Sequence, residues 1–183
     1  MESLQGHLLI ASPRLMDPNF ARSVVLIVQH NESGAMGLIL NRPLDVTVQT
    51  VWEQVSETPC FLEEPMHQGG PCEGPLMVLH DDAKLSQISV IPGVNWSTEK
   101  ESLEQLVVQN NGSMKFFVGY AGWGAGQLEG ELETGSWLTV AANEEMVFSE
   151  SEDQWEQLRR RLTLTSTYPW LDPRFIPDDP TAN

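Results

Sequence analysis

The segment that most restricts the fold of this chain runs from Phe116 to Leu132 and is rich in glycine. It reads Phe-Phe-Val-Gly-Tyr-Ala-Gly-Trp-Gly-Ala-Gly-Gln-Leu-Glu-Gly-Glu-Leu. The apolar start is typical of a buried strand, and glycines at 119, 122, 124 and 126 then predict a loop that needs unusual backbone angles or very close backbone approach. A short helix is predicted over 127–134. The segment therefore indicates either a packing device around Trp123 or a specific site.

Charge restricts the partners of the chain. The 183 residues include 10 Lys and Arg against 26 Asp and Glu, which gives a formal net charge of −16. Non-specific DNA binding depends on basic side chains that neutralise phosphates, and anionic membrane surfaces attract basic segments, so both partners are disfavoured. Solubility is the simpler reason for the excess of acids. A basic partner protein at the acidic stretch 144–156 is the alternative.

The same composition predicts a cytosolic protein. The first residues are polar and lack the basic start of a signal peptide, and the longest aliphatic run, Val24–Val28, is too short to span a bilayer. Two cysteines, Cys60 and Cys72, are too few for a disulfide framework. One core is expected at this length, with a single domain over 1–168 and a tail containing proline and aspartate over 169–183.

Hydrophobic patterning predicts seven strands bounded by turn residues. A loop with two prolines separates the first two strands, and the second and third strands are predicted to form a hairpin through the turn at 31–34. The expected strands span 6–11, 23–30, 35–40, 76–80, 88–91, 115–120 and 137–140.

Four helices are predicted from apolar spacing and capping residues. Thr47 is expected to cap a helix whose Val48, Val51 and Trp52 face the core. Thr98 to Glu101 has the form of a capping box for a second helix, the third follows the glycine loop, and the fourth begins near Trp155. Arg159, Arg160 and Arg161 are expected near the C-terminal end of that helix. Irregular alternation of strands and helices predicts an α+β mixed sheet with flanking helices.

Seven blocks of the chain, in order, resemble the YqgE/AlgH family of small bacterial proteins. The resemblance runs from residue 6 to about residue 162 and is much more specific than any single motif. The blocks are GHLLIASP at 6–13, MDPNF at 16–20, SVVL at 23–26, GAMGLILNRP at 34–43, GGP at 69–71, VLH at 78–80 and GYAGWGAGQLE at 119–129.

This resemblance implies a fold and little chemistry. It implies an α+β fold with a curled, mostly antiparallel mixed sheet, partly closed like a small barrel, and helices around it. It implies no established activity, and the label of transcriptional regulator attached to part of the family comes from a genetic association with alginate production. The chain departs from the family pattern at Cys72–Pro75 and in the proline-rich tail.

The polar residues inside these blocks form the candidate functional surface. If Asp17 and His80 converge, they have the chemistry of an acid/base pair, and Arg42 that of an anion clamp. Plain turn and strand-ending roles are the alternative for these residues and for Asn19 and Asn41. The glycine loop adds Trp123, Gly124 and Gln127 as candidates for contact with a ligand. Backbone N–H groups of such a loop can hold an anion, although neither a P-loop nor a dinucleotide fingerprint is present.

Metal and cofactor binding are not predicted. Cys60, His67, Cys72 and His80 are separated by six, four and seven residues, which matches no usual zinc pattern. The chain also lacks the Gly-x-Ser-x-Gly motif of many serine hydrolases. We therefore expect a non-enzymatic binding or regulatory protein that acts through a small ligand or a partner protein, with no cofactor. The alternative is a hydrolase-like enzyme that uses Asp17, His80 and Arg42.

Overall fold

The computed structural model describes residues 2–151 and 153–167, and the predicted tail over 169–183 lies outside them. Within this part the chain forms eleven strands in two sheets. The first sheet has the order β10-β3-β2-β1-β11, with all neighbours antiparallel. Its strands are β1 His7–Ala11, β2 Val24–Asn31, β3 Gly34–Ile39, β10 Ala121–Gly124 and β11 Trp137–Ala141.

The second sheet has six strands in the order β4-β5-β9-β6-β8-β7. Only the β5–β9 pair among these described strands is parallel. The strands are β4 Pro43–Thr47, β5 Pro65–Gln68, β6 Met77–His80, β7 Ile88–Ile91, β8 Val94–Ser97 and β9 Met114–Val118. The α+β class with curled, mostly antiparallel sheets is confirmed, but the strands divide into two sheets and do not close into a barrel.

Five helices flank the sheets in the described part of the chain. None of them is both long and apolar enough to cross a membrane. They are α1 Val48–Trp52, α2 Lys100–Gln109, α3 Gln127–Glu133, α4 Glu144–Phe148 and α5 Gln154–Thr167, and a short 3₁₀ turn lies at Ala83–Leu85.

The second sheet is buried on both faces. Leu79 and Phe117 belong to a large core shared with the first sheet, α3 and α5. Their neighbours Val78 and Phe116 point the other way and belong to a smaller core with α1 and α2. Successive residues of a strand alternate between faces, so the two cores lie on opposite sides of one sheet.

Most predicted elements are present, and several details differ. The hairpin is confirmed, with His30 opposite Ala35, and the Thr47 side chain accepts the N–H of Thr50 as predicted for α1. The capping box is wrong: α2 has no side-chain cap, and the Thr98 hydroxyl donates to the carbonyl of Leu76 instead.

Four short strands were not predicted: β4, β5, β8 and β10. The last of these overturns the prediction of a loop through 122–124, because Trp123 pairs with Ala35 at the edge of the first sheet. The arginines at 159–161 lie in the middle of α5, not near its end, because the helix continues to Thr167. Helix α4 was also missed; Asn143 caps it, and Glu144 and Glu145 lie in its first turn, where acids are favourable.

Candidate functional site

The glycine-rich segment is a crossing between the two sheets. Residues 119 and 120 connect β9 to β10 and pack directly on the Gly69–Gly70 backbone. A Cβ atom at Gly70 would lie 2.2 Å from the carbonyl carbon of Tyr120, and one at Gly69 would lie 2.3 Å from the oxygen of Gly119. No side chain is tolerated at such distances without a shift of the backbone. Close backbone approach therefore explains the glycines at 69, 70 and 119, whereas Gly126 has open space around it and a φ of +73°, which favours glycine.

Trp123 and Gln127 belong to a polar cluster centred on Glu131. One oxygen of Glu131 accepts the indole N–H groups of Trp123 and Trp137, at 2.9 and 2.8 Å. The other accepts the Gln127 amide at 3.0 Å, and Gln127 in turn accepts the N–H of Gly124 at 3.1 Å. The three predicted residues of the loop thus lie together, with their polar groups engaged within the protein.

Four other predicted residues gather at the loop between β1 and β2. Asp17 accepts the N–H of Asn19 at 2.8 Å, which is an Asx turn. Asn41 accepts the N–H of Val24 and donates to the carbonyl of Arg22, at 2.8 and 2.9 Å. Arg42 donates to two carbonyls of the same loop, and burial lowers its pKa while nearby Asp17 opposes that effect. These side chains hold the loop against the end of β3.

Phe20 joins the two groups of predicted residues. Its ring stacks on Trp123 with a centroid separation of 5.9 Å and meets Trp137 edge-on at 5.6 Å. Seven of the eight predicted residues are therefore linked through this aromatic contact. The eighth, His80, is not among them.

His80 lies far from Arg42. The carbonyl of Arg42 accepts the N–H of Gln68, which pairs with Val118, whereas His80 pairs with Met114. Arg42 precedes β4, three strand positions from β6, so strand spacing and rise place the two backbones roughly 20 Å apart. The acid/base pair on which the hydrolase alternative depends is not assembled.

The surroundings of His80 indicate a structural role instead. It is fully buried, and its Nε2 lies 3.0 Å from the hydroxyl of Ser97, which donates to the carbonyl of Leu85. Since that hydroxyl proton is used, Nε2 of His80 carries the proton of its own hydrogen bond. Burial lowers the pKa of His80, and Asp82 and Asp81 oppose the shift.

The strongest candidate site lies elsewhere, at a cavity of about 230 Å³ beside the N-terminal end of β9. We call it the Lys115 pocket. Six lining residues that carry its chemistry are Glu64, His67, Ser113, Lys115, Phe148 and Glu150. Ser113 is held there because its N–H donates to the carboxylate of Asp81 at 2.8 Å.

Lys115 is buried, with only 3% of its surface exposed. Its ammonium donates to the carbonyl of Ser149 at 2.8 Å, which ties β9 to the end of α4. Burial lowers the pKa of Lys115 to about 8, and the charge of Glu150 partly opposes this. A cation in such a setting is costly, so it is a candidate functional group when it borders a cavity.

His67 shares the face of the second sheet that carries Lys115. It is opposite Phe117 in the parallel β5–β9 pair, and Lys115 is two residues before Phe117. Burial, and next the charge of Lys115, lower the pKa of His67 to about 4. At neutral pH the site therefore holds one titrating amine and a neutral imidazole.

The sequence interpretation missed Lys115 as a site residue. A usable signal was present: a lysine two residues before a central Phe in an apolar strand lies on the same face as that Phe. The cysteines contribute no site here. Cys60 is buried in the smaller core, Cys72 lies beside Tyr120 in an isolated bridge, and among the described residues no three His, Cys, Asp or Glu side chains gather as metal ligands.

Comparison with known proteins identifies the family. A family model described as AlgH-like matches residues 8–166. A UPF0301 protein of Chlorobaculum tepidum is 43% identical over 162 residues, covering 85% of this chain and 83% of the relative. A UPF0301 protein of Cupriavidus metallidurans is 41% identical over 155 residues, covering 80% of this chain and 81% of the relative.

Comparison with solved structures indicates the same family. The solution structure of the AlgH protein from Pseudomonas aeruginosa has a TM-score of 0.72 and 32% identity, covering 93% of this chain and 90% of that chain. A crystal structure of a Corynebacterium diphtheriae protein has a TM-score of 0.72 at 28% identity, with 88% of each chain covered. The chain therefore belongs to the AlgH-like family.

Proposed function

We propose that this chain is a non-enzymatic binding protein whose small ligand occupies the Lys115 pocket. The observation that carries the proposal is a buried ammonium on the wall of a cavity. Concave pockets with a few convergent polar groups are the usual form of ligand sites. The cavity volume of about 230 Å³ is below the roughly 300–1,000 Å³ of sites for drug-sized molecules, which favours a smaller ligand.

The charges of the pocket favour an uncharged, oxygen-rich ligand. Lys115 offers N–H donors to a carbonyl or hydroxyl oxygen, while Glu64 and Glu150 accept hydrogen bonds from hydroxyl groups. An anionic ligand would gain from the ammonium but meet two carboxylates. A neutral polyol or hydroxycarbonyl satisfies both kinds of group without that repulsion.

Nuclear magnetic resonance titration tests the proposal. Amide resonances of uniformly labelled protein are followed as glycerol or dihydroxyacetone is added to about 100 mM. Shifts confined to 64–67, 112–116 and 148–150 are expected, and they should be lost in Lys115→Met. The exposed-site variant Lys84→Met is the matched control and should behave as wild type. Shifts spread evenly over the surface, or unchanged in Lys115→Met, would contradict the proposal.

We also propose that the protein works in the cytosol and that any regulatory role is indirect. The net charge of −16 supports the indirect role, because it opposes direct contact with phosphate backbones. A gel-shift experiment at physiological salt checks it, and tight binding of duplex DNA would contradict it.

A further inference from the structure

Lys115 differs from the other two lysines of the chain in its surroundings. Lys84 and Lys100 are exposed, whereas Lys115 is buried beside a cavity. Its strand neighbours on that face, Leu79 across the pair and Phe117 along the strand, are fully buried apolar residues. The three lysines therefore provide one enclosed amine and two solvated ones in the same molecule.

The enclosed amine is chemically more available as a nucleophile. With its pKa near 8, about a fifth of Lys115 is unprotonated at pH 7.4, against about one in a thousand for a lysine of ordinary pKa. A hydrogen bond to the Ser149 carbonyl fixes the nitrogen at the pocket wall. The titratable groups that line the same pocket are His67 from β5, Glu64 before that strand and Glu150 after α4. None of these supplies a second amine.

We propose that Lys115 forms a reversible imine with a small, uncharged aldehyde or ketone held in the Lys115 pocket. This rests on the proposed function, because it names the chemical class of the ligand that the pocket binds. Desolvated lysines with lowered pKa are the amines that proteins use for Schiff bases. Burial disfavours the unreactive ammonium, and the charge of Glu150 only partly opposes this effect.

The reaction needs no further reagent. The nitrogen lone pair of unprotonated Lys115 attacks the carbonyl carbon, so that a C–N bond forms and the C=O π bond breaks. One nitrogen proton moves to the oxygen, which gives a carbinolamine. The nitrogen lone pair then forms the C=N bond as the C–O bond breaks, and the departing hydroxide leaves as water with the second nitrogen proton. Amine and carbonyl thus give imine and water, with no oxidation or reduction.

Reductive trapping tests the inference. The full chain is incubated at pH 7.4 with dihydroxyacetone and cyanoborohydride, which delivers hydride to the imine carbon and leaves a stable secondary amine. Peptide mass spectrometry then reports the initial rate of modification at each lysine. We expect Lys115 to be modified at least tenfold faster than Lys84 or Lys100, with a rate that rises with pH and levels off above about 8.

Variants and a non-carbonyl analogue separate the possible outcomes. Lys115→Arg keeps a cation able to donate to Ser149 but cannot form an imine, so it should lose the adduct while remaining folded. Glycerol lacks the carbonyl and reports non-covalent binding alone. Glycerol shifts at the pocket without a Lys115 adduct would overturn the imine and leave the proposed function standing. Absence of both would overturn both. Modification of Lys115 no faster than that of the two exposed lysines would also refute the inference.

Discussion

Replacement of Glu131 by Ala should destabilise the protein more than the loss of any single exposed carboxylate on α3. Glu131 is the shared acceptor of two indole N–H groups, those of Trp123 and Trp137. Both tryptophans are about 95% buried, so water cannot replace the lost acceptor freely. The side chain thus determines whether two buried donors are satisfied.

The magnitude follows from the number of donors left unpaired. A buried polar group without a partner costs about 1–3 kcal/mol, and two such groups give a loss of about 2–4 kcal/mol after partial relaxation. Alanine regains a few tenths of a kcal/mol through its higher helix propensity. The expected decrease in the free energy of unfolding is therefore about 2–4 kcal/mol.

Urea unfolding, followed by tryptophan fluorescence and circular dichroism, measures this change. Glu133→Ala on the exposed side of the same helix is the matched control and should change stability by less than about 0.5 kcal/mol. Glu131→Gln retains one acceptor oxygen and should fall between the two. If Glu131→Ala and Glu133→Ala unfold at the same urea concentration, the shared carboxylate does not stabilise the fold as argued.

Three further predictions concern other parts of the fold. The pKa of His67 is about 4 in the folded protein and near 6.5 when unfolded, so the free energy of unfolding should fall by at most about 3 kcal/mol as pH is lowered from about 6.5 to 4. His67→Gln should flatten that part of the stability–pH profile, and an unchanged profile would refute the assignment. Gly70→Ala should cost more than about 2 kcal/mol in urea unfolding, since its Cβ meets the Tyr120 backbone, whereas Gly130→Ala, with open space around it, should stabilise α3 by about 0.5–1 kcal/mol; equal effects would contradict the packing argument. Asn41→Ala should lower the free energy of unfolding by about 1–2 kcal/mol and speed proteolysis in the loop at 12–22, because Asn41 binds the backbone at the end of that loop (Arg22) and at the start of β2 (Val24). Wild-type cleavage rates would count against this role.

The sequence alone predicted the elements whose own residues show a local apolar, turn or capping pattern. The apolar run of β2, the hairpin turn, the Thr47 cap and the apolar spacing of α5 are local signals, and each is confirmed. The order of the seven blocks also sufficed to recognise the family. These features depend on residues close together in the chain, so they can be predicted without knowledge of the tertiary structure.

Tertiary structure alone decided how the strands are distributed and where the candidate site forms. Short strands such as β5 and β10 exist because distant partners supply their hydrogen bonds: His67 pairs with Phe117, fifty residues away. The burial of Lys115 depends in the same way on the end of α4, which covers it through the Ser149 carbonyl. A pKa lowered by desolvation is a property of assembled neighbours, not of the residue. Local pattern therefore determined most of the elements, and long-range packing determined which amine the protein encloses.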